Sequence, residues 1–116
     1  MKKKSIKKVI CFDIDGVICE TRLSNYKKSK PIKEAIEIIN KLYKKNKIIL
    51  FTARYMGRSK GIASIAEKRA KKLTIKQLKK WNVNYHNIIF GKPSYDLIID
   101  DKALGFKKNW YKNFKF

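Results

Sequence analysis

Cysteine is scarce in this chain: Cys11 and Cys19 are the only two in 116 residues. Two thiols make neither a disulfide framework nor a zinc site. Cys11 lies in an apolar run and reads as a small buried hydrophobe. Cys19 lies near the candidate site described below, but no histidine adjoins it to activate it. Histidine is scarcer still, with His86 alone; its place between a helix end and a strand gives it a structural reading. Two prolines and five glycines leave no linker, so residues 1–116 read as one domain. No apolar run approaches the roughly 18 residues of a membrane-spanning helix. The apolar run behind the basic N-terminus, Val9 to Phe12, stops at Asp13, too short for a signal peptide. The expected location is the cytoplasm.

Negative charge is also rare. Nine acidic residues face 30 basic ones, a formal net charge of +21. Such a field attracts nucleic acid and other polyanions. Yet only four of the cations are arginines (Arg22, Arg54, Arg58, Arg69), and arginine is what specific phosphate and base readers favour. The lysines are spread along every segment. A generally solvated basic surface is therefore the first reading, with a polyanion or nucleic-acid partner as the second. The 44% apolar content argues against wholesale disorder. A chain this long buries roughly 65% of its unfolded surface, enough for one core.

Hydrophobic periodicity then sets an order of elements. Residues 7–14 read as a buried strand ending in acids. Pro31 opens a helix over 31–45, carried by Ile32, Ala35, Ile36, Ile39, Leu42 and Tyr43 at helical spacing. Residues 48–51 form a second strand, and 52–61 a loop holding Gly57 and Gly61. Residues 62–72 are helical. Thr74 with Gln77 three places on reads as a capping box that opens a further helix through Trp81. Residues 87–90 are a third strand, 91–93 a turn, and 97–99 a fourth strand. Strands alternating with helices predict an α/β fold of about four mostly parallel strands covered on both faces. In such sheets ligands bind beyond the carboxyl ends of the strands. Asp13 and Asp15 follow strand one, Thr52 strand two, Lys92 strand three, and Asp100 and Asp101 strand four.

Four of nine acids thus fall at two strand ends expected to be neighbours. Carboxylates crowded this way repel, and a hard divalent cation such as Mg²⁺ relieves the repulsion. Asp13, Asp15, Asp100 and Asp101 are the candidate metal ligands. Thr52 offers a hydroxyl donor and Lys92 a point charge. Gly16 lets backbone approach a ligand, and the N–H groups after Asp15 suit an anion nest. These are parts for phosphoryl transfer through a carboxylate nucleophile.

The same residues resemble the haloacid dehalogenase superfamily. Asp13-Ile14-Asp15-Gly16-Val17 is similar to its first motif, Phe51-Thr52 to its second, Lys92 in Gly-Lys-Pro to its third, and Ile99-Asp100-Asp101 to its fourth. The motifs span residues 7–101 in the family's order. The resemblance implies a Rossmann-like three-layer fold with strand order 4-1-2-3. It implies Asp13 as nucleophile and Asp15 as general acid, then base. It implies Mg²⁺ held by Asp13, the Asp15 carbonyl and Asp100, with Asp101 binding the metal directly or through water. It implies that Thr52 and Lys92 bind the phosphoryl group. The dehalogenase branch lacks the second Asp of the first motif, so Asp15 implies a phosphatase. Lys92 departs from the pattern, standing only eight residues before Asp100, so it must reach in from a short turn.

The family's cap-insertion points are nearly empty here, which resembles the capless class. Thr52-Ala53-Arg54, Gln77-Leu78-Lys79-Lys80-Trp81 and Lys92-Pro93 are similar to small bacterial phosphatases of capsule and surface-polysaccharide assembly. That likeness implies a sugar phosphate substrate. A nucleotide or nucleic-acid end is the alternative, and a non-catalytic polyanion-binding module the reading from another class. Arg54 is a candidate contact for a substrate oxyanion. Tyr26, Tyr55, Met56 and Arg58 are candidates for a partial lid, and Trp81 for the core. The aromatic tail (Trp110, Tyr111, Phe114, Phe116) either packs back over the sheet edge or makes an oligomer contact.

Overall fold

A computed structural model of the chain describes residues 8–112 and 114. Residues 1–7, with most of the basic lead-in, and Phe116 of the tail lie outside that range. Short apolar runs form β1 (Val9–Phe12), β4 (Lys47–Thr52) and β5 (Asn87–Phe90), with burial alternating along each. They make a parallel sheet in the order β1-β4-β5, with Phe12 opposite Leu50 and Thr52 opposite Phe90. This is the expected order for the first three strands. The chain is thus α/β with a mostly parallel sheet. No described helix is long and apolar enough to cross a membrane.

Between β1 and β4 the chain makes a small antiparallel pair, β2 (Cys19–Glu20) with β3 (Lys30–Pro31). Pro31 is therefore a strand residue paired with Cys19, not the first helical residue expected. The helix that follows, α1 (Lys33–Tyr43), begins after Ile32 and buries Ala35, Ile36 and Ile39. The second long helix, α2 (Ala63–Lys80), is continuous. The expected break at Thr74 is absent because Thr74 is an interior residue. Its hydroxyl accepts from Arg54 Nη1 at 3.2 Å instead of capping a new helix. Ala66, Ala70, Thr74, Gln77 and Leu78 recur on one buried face. Asn82, at φ +57°, ends α2, and the Val83 N–H bonds back to the Leu78 carbonyl.

The core lies on one face of the sheet. Phe12, Ile48 and Leu50 pack with Ile14, Ile18, α1, Leu78 and Trp110. The opposite face stays open: Val9, Cys11 and Ile89 are exposed and Ile49 and Phe51 half-buried. The three-layer expectation is not met among the described residues. Nor does the fourth strand form there. Leu97 and Ile99 are 76% and 90% exposed, and residues 97–100 have no strand structure. Their apolar composition suits a strand, but a strand forms only against a partner, and these residues meet none. The tail does fold back at Trp110, whose indole N–H donates to the Val17 carbonyl at 3.1 Å and whose ring lies 5.5 Å from Phe12.

His86 closes the β4–β5 junction. Its Nδ1 accepts the Ile48 N–H at 3.0 Å, and its ring stacks on Tyr43 at 4.4 Å. That is the structural role expected of it. Trp81 packs against the core as expected.

Gly91 joins β5 to the site at φ +93°, and a Cβ there would meet the Ala63 Cβ at 2.6 Å. Both the backbone angle and the helix contact exclude a side chain. Gly91→Ala is expected to cost about 2–4 kcal/mol, read as a lower urea midpoint; an unchanged midpoint would contradict this packing.

Candidate active site

β1 ends at Phe12, and the chain turns sharply through Asp13, Ile14, Asp15 and Gly16. Gly16 takes φ +85°, a conformation that suits glycine. The turn is closed by its own backbone. The N–H groups of Val17, Ile18 and Cys19 all point to the Ile14 carbonyl, and that of Gly16 goes to the Cys19 carbonyl at 2.8 Å. The anion nest expected after Asp15, and phosphate binding by the Gly16 backbone, are corrected by this. The donors are already bonded within the turn.

Each aspartate of the turn has its own cation. Asp13 Oδ1 accepts the Ile14 N–H at 2.7 Å, and Oδ2 accepts Lys92 Nζ at 2.9 Å. Lys92 therefore reaches Asp13 from the short turn after β5, as expected. Burial pushes its ammonium down, but Tyr95 and Asp13 outweigh this and raise it above the ordinary lysine value. It stays a cation throughout the neutral range. Asp15 is held by Arg54, with Nε at 3.0 Å from Oδ2 and Nη2 at 3.0 Å from Oδ1.

Arg54 departs from its expected role. It is 1% exposed, and its guanidinium is spent on protein partners. Nη1 donates to Thr74 and to Gln77 Oε1, and Nη2 lies 3.4 Å from Ser29 Oγ. The guanidinium carbon stands 5.0 Å from the centre of the Tyr26 ring. A direct contact to a substrate oxyanion has no donor left to make it.

Thr52, at the end of β4, links the two halves. Its hydroxyl accepts the Arg54 N–H at 3.1 Å, and its carbonyl accepts the Lys92 N–H at 3.0 Å. The residue is fully buried, which does not suit the phosphate contact expected of it. It fixes the roots of both cations instead.

Asp100 and Asp101 are not brought to this site. Both are exposed, and Asp100 Oδ1 accepts the Lys102 N–H in a local turn. No group of three or more acidic, histidine or cysteine side chains able to hold a metal exists among the described residues. The four-carboxylate set expected for Mg²⁺ is thus only half assembled, as Asp13 and Asp15. The cause is the missing fourth strand, which was to carry Asp100 to the sheet edge.

Beside the site, Tyr26 and Tyr55 rings lie 5.0 Å apart, with Arg58 over both. Arg58 also donates to the Ser24 carbonyl. These contacts tie residues 22–29 to the loop after β4, the two segments expected to form a partial lid. Thr21 and Ser29 escaped the sequence reading, and Thr74 and Gln77 entered it only as a capping box. Thr74 and Gln77 carried a signal, since two polar residues one turn apart sit on the inward face of α2.

Cys19 is buried beside Asp15, and its thiol is pushed up to about 11, first by burial and then by the Asp15 charge. Cys11 is exposed, its thiol raised more modestly by burial.

No protein-family model matches the chain, and no curated protein matches it. A solved structure does: the crystal structure of a structural-genomics target from Vibrio cholerae superposes with a TM-score of 0.83. The two are 24% identical, over 93% of this chain and 89% of that one. At this identity the likeness speaks for the fold alone.

Cys19 offers a direct check on the site's interior. A thiol titrating near 11 is about one part in a thousand thiolate at pH 8, rising about tenfold per pH unit. In Cys11→Ser, labelling of Cys19 by iodoacetamide is expected to be negligible at pH 8 and to climb steeply towards pH 10. Rapid labelling at pH 7.5 would contradict this placement.

Proposed function

We propose that this chain is a phosphomonoester hydrolase of the haloacid dehalogenase type. In this reading it has that superfamily's Rossmann-like fold, lacks a cap domain and works through an aspartyl-phosphate at Asp13. The observation that carries the reading is the pair of aspartates on one strand-end turn, each with a separate cation: Lys92 on Asp13 and Arg54 on Asp15. One carboxylate is set beside a point charge that suits a phosphoryl oxygen. The other is locked by a buried fork.

The chemistry follows from that division. An Asp13 carboxylate oxygen attacks phosphorus. The bond from phosphorus to the leaving oxygen breaks, its electron pair staying on that oxygen, and Asp15 gives the oxygen a proton. A water molecule then attacks phosphorus, giving its proton to Asp15. The bond from phosphorus to Asp13 breaks, its electrons return to the Asp13 carboxylate, and inorganic phosphate leaves. Lys92 offsets the charge of the transferred group in both halves.

Mg²⁺ belongs to this reading on the strength of the sequence motifs. The residues as arranged do not make its site, and no step above is routed through it. A sugar phosphate of polysaccharide assembly is the substrate proposed, in line with an open, capless site. The +21 charge favours a second version, a phosphatase of nucleotides or nucleic-acid ends, whose activity would fall steeply with salt.

The test is phosphate release from sugar phosphates, nucleotides and an aryl phosphate, with Mg²⁺, with EDTA and with Asp13→Asn. Turnover is expected with Mg²⁺ and not with EDTA, and Asp13→Asn is expected to lower it on the order of a thousandfold or more. A folded protein that releases no phosphate from any of these with Mg²⁺ present would overturn the reading.

A further inference from the structure

Arg54 and Asp15 form a buried pair that the proposed chemistry has not yet used in full. The Arg54 side chain is fully buried, whereas that of Asp15 keeps 25% of its surface exposed. The donors on Asp15 are unevenly divided. Oδ1 accepts the Thr21 hydroxyl and Arg54 Nη2, with Arg54 Nε at 3.3 Å and Cys19 Sγ at 3.6 Å. Oδ2 accepts one donor, Arg54 Nε at 3.0 Å. A carboxylate oxygen has about two lone-pair sites. Oδ1 is filled, and Oδ2 alone has capacity to spare.

The clamp is itself held from behind. Nη1 of the same guanidinium is fixed by Thr74 and Gln77 on α2. The Gln77 amide in turn donates to the Tyr26 carbonyl. Thus one planar cation joins the catalytic turn, the segment between β2 and β3, and α2. A guanidinium bonded on both edges cannot rotate without breaking several buried hydrogen bonds.

We propose that Arg54 is a positioning residue that orients Asp15 so that Oδ2 faces the reacting group and exchanges the proton there, with Gln77 fixing Arg54. This rests on the hydrolase reading above. In the step concerned, the bond from phosphorus to the leaving oxygen breaks as the bond from Asp13 to phosphorus forms, and the proton on Asp15 Oδ2 passes to the leaving oxygen. A misdirected Asp15 harms only leaving groups that need this proton. A dinitrophenolate leaves without it, whereas a sugar alkoxide does not.

The experiment compares kcat/KM for a sugar phosphate and for 2,4-dinitrophenyl phosphate in wild type, Arg54→Lys and Gln77→Met. Gln77→Met keeps the side-chain volume and removes the acceptor, so it serves even where Arg54→Lys fails to fold. In a folded variant, the loss on the sugar phosphate is expected to exceed the loss on the dinitrophenyl ester by tenfold or more, with Arg54→Lys the more affected. Equal losses on the two substrates in folded Gln77→Met would overturn the positioning role while leaving the hydrolase reading intact. Absence of turnover in wild type on both substrates would overturn the hydrolase reading and this proposal with it.

Discussion

The site depends on one ion pair with a buried cation. Arg54 is enclosed by the protein and Asp15 closes one side of it. A buried guanidinium is tolerated only where its donors are satisfied, and here Asp15, Thr74, Gln77 and Ser29 take them. Those acceptors come from three separate stretches of chain, Thr74 and Gln77 both lying on α2. Satisfying one cation therefore fixes the turn after β1, the β2–β3 pair and the middle of α2 relative to the end of β4. Thr52 extends the constraint to Lys92 through its carbonyl, so both aspartates are set from the same strand end.

Much of this framework is legible from sequence, and what is not has identifiable causes. Three strands and α1 follow from apolar periodicity, because their burial is decided by near neighbours in the chain. Lys92 falls beside Asp13 because parallel strands deliver their ends to one edge of a sheet. Thr74 and Gln77 mislead, since the spacing of a capping box is also that of two polar residues on one helix face. Only the position of Arg54, twenty residues earlier, separates the two. Gly16 misleads for a related reason: its positive φ was foreseeable, but the use of the neighbouring N–H groups within the turn was not. Leu97–Ile99 has strand composition and no strand, because pairing depends on a partner that composition cannot supply.

The distribution of charge follows a similar logic. The ion pairs seen among the described residues are those of Asp13 and Asp15. Those two carboxylates are matched with cations chosen by position, while most lysines stay in solvent, where pairing gains little. The open sheet face and the exposed stretch from Leu97 to Phe106 mark the part of the molecule least constrained by its own core. Asp100 and Asp101 lie in that stretch, which is why their place in the chemistry is the least determined by the fold.

The central claim is that Asp13 becomes covalently phosphorylated. The most direct measurement is to mix the protein with an aryl phosphate, quench in acid within the first turnover, reduce with borohydride and map the product by peptide mass spectrometry. An aspartyl-phosphate is reduced to homoserine, so the account predicts homoserine at position 13 and unmodified aspartate at position 15. Phosphate release with aspartate intact at position 13, or reduction at another carboxylate, would contradict it.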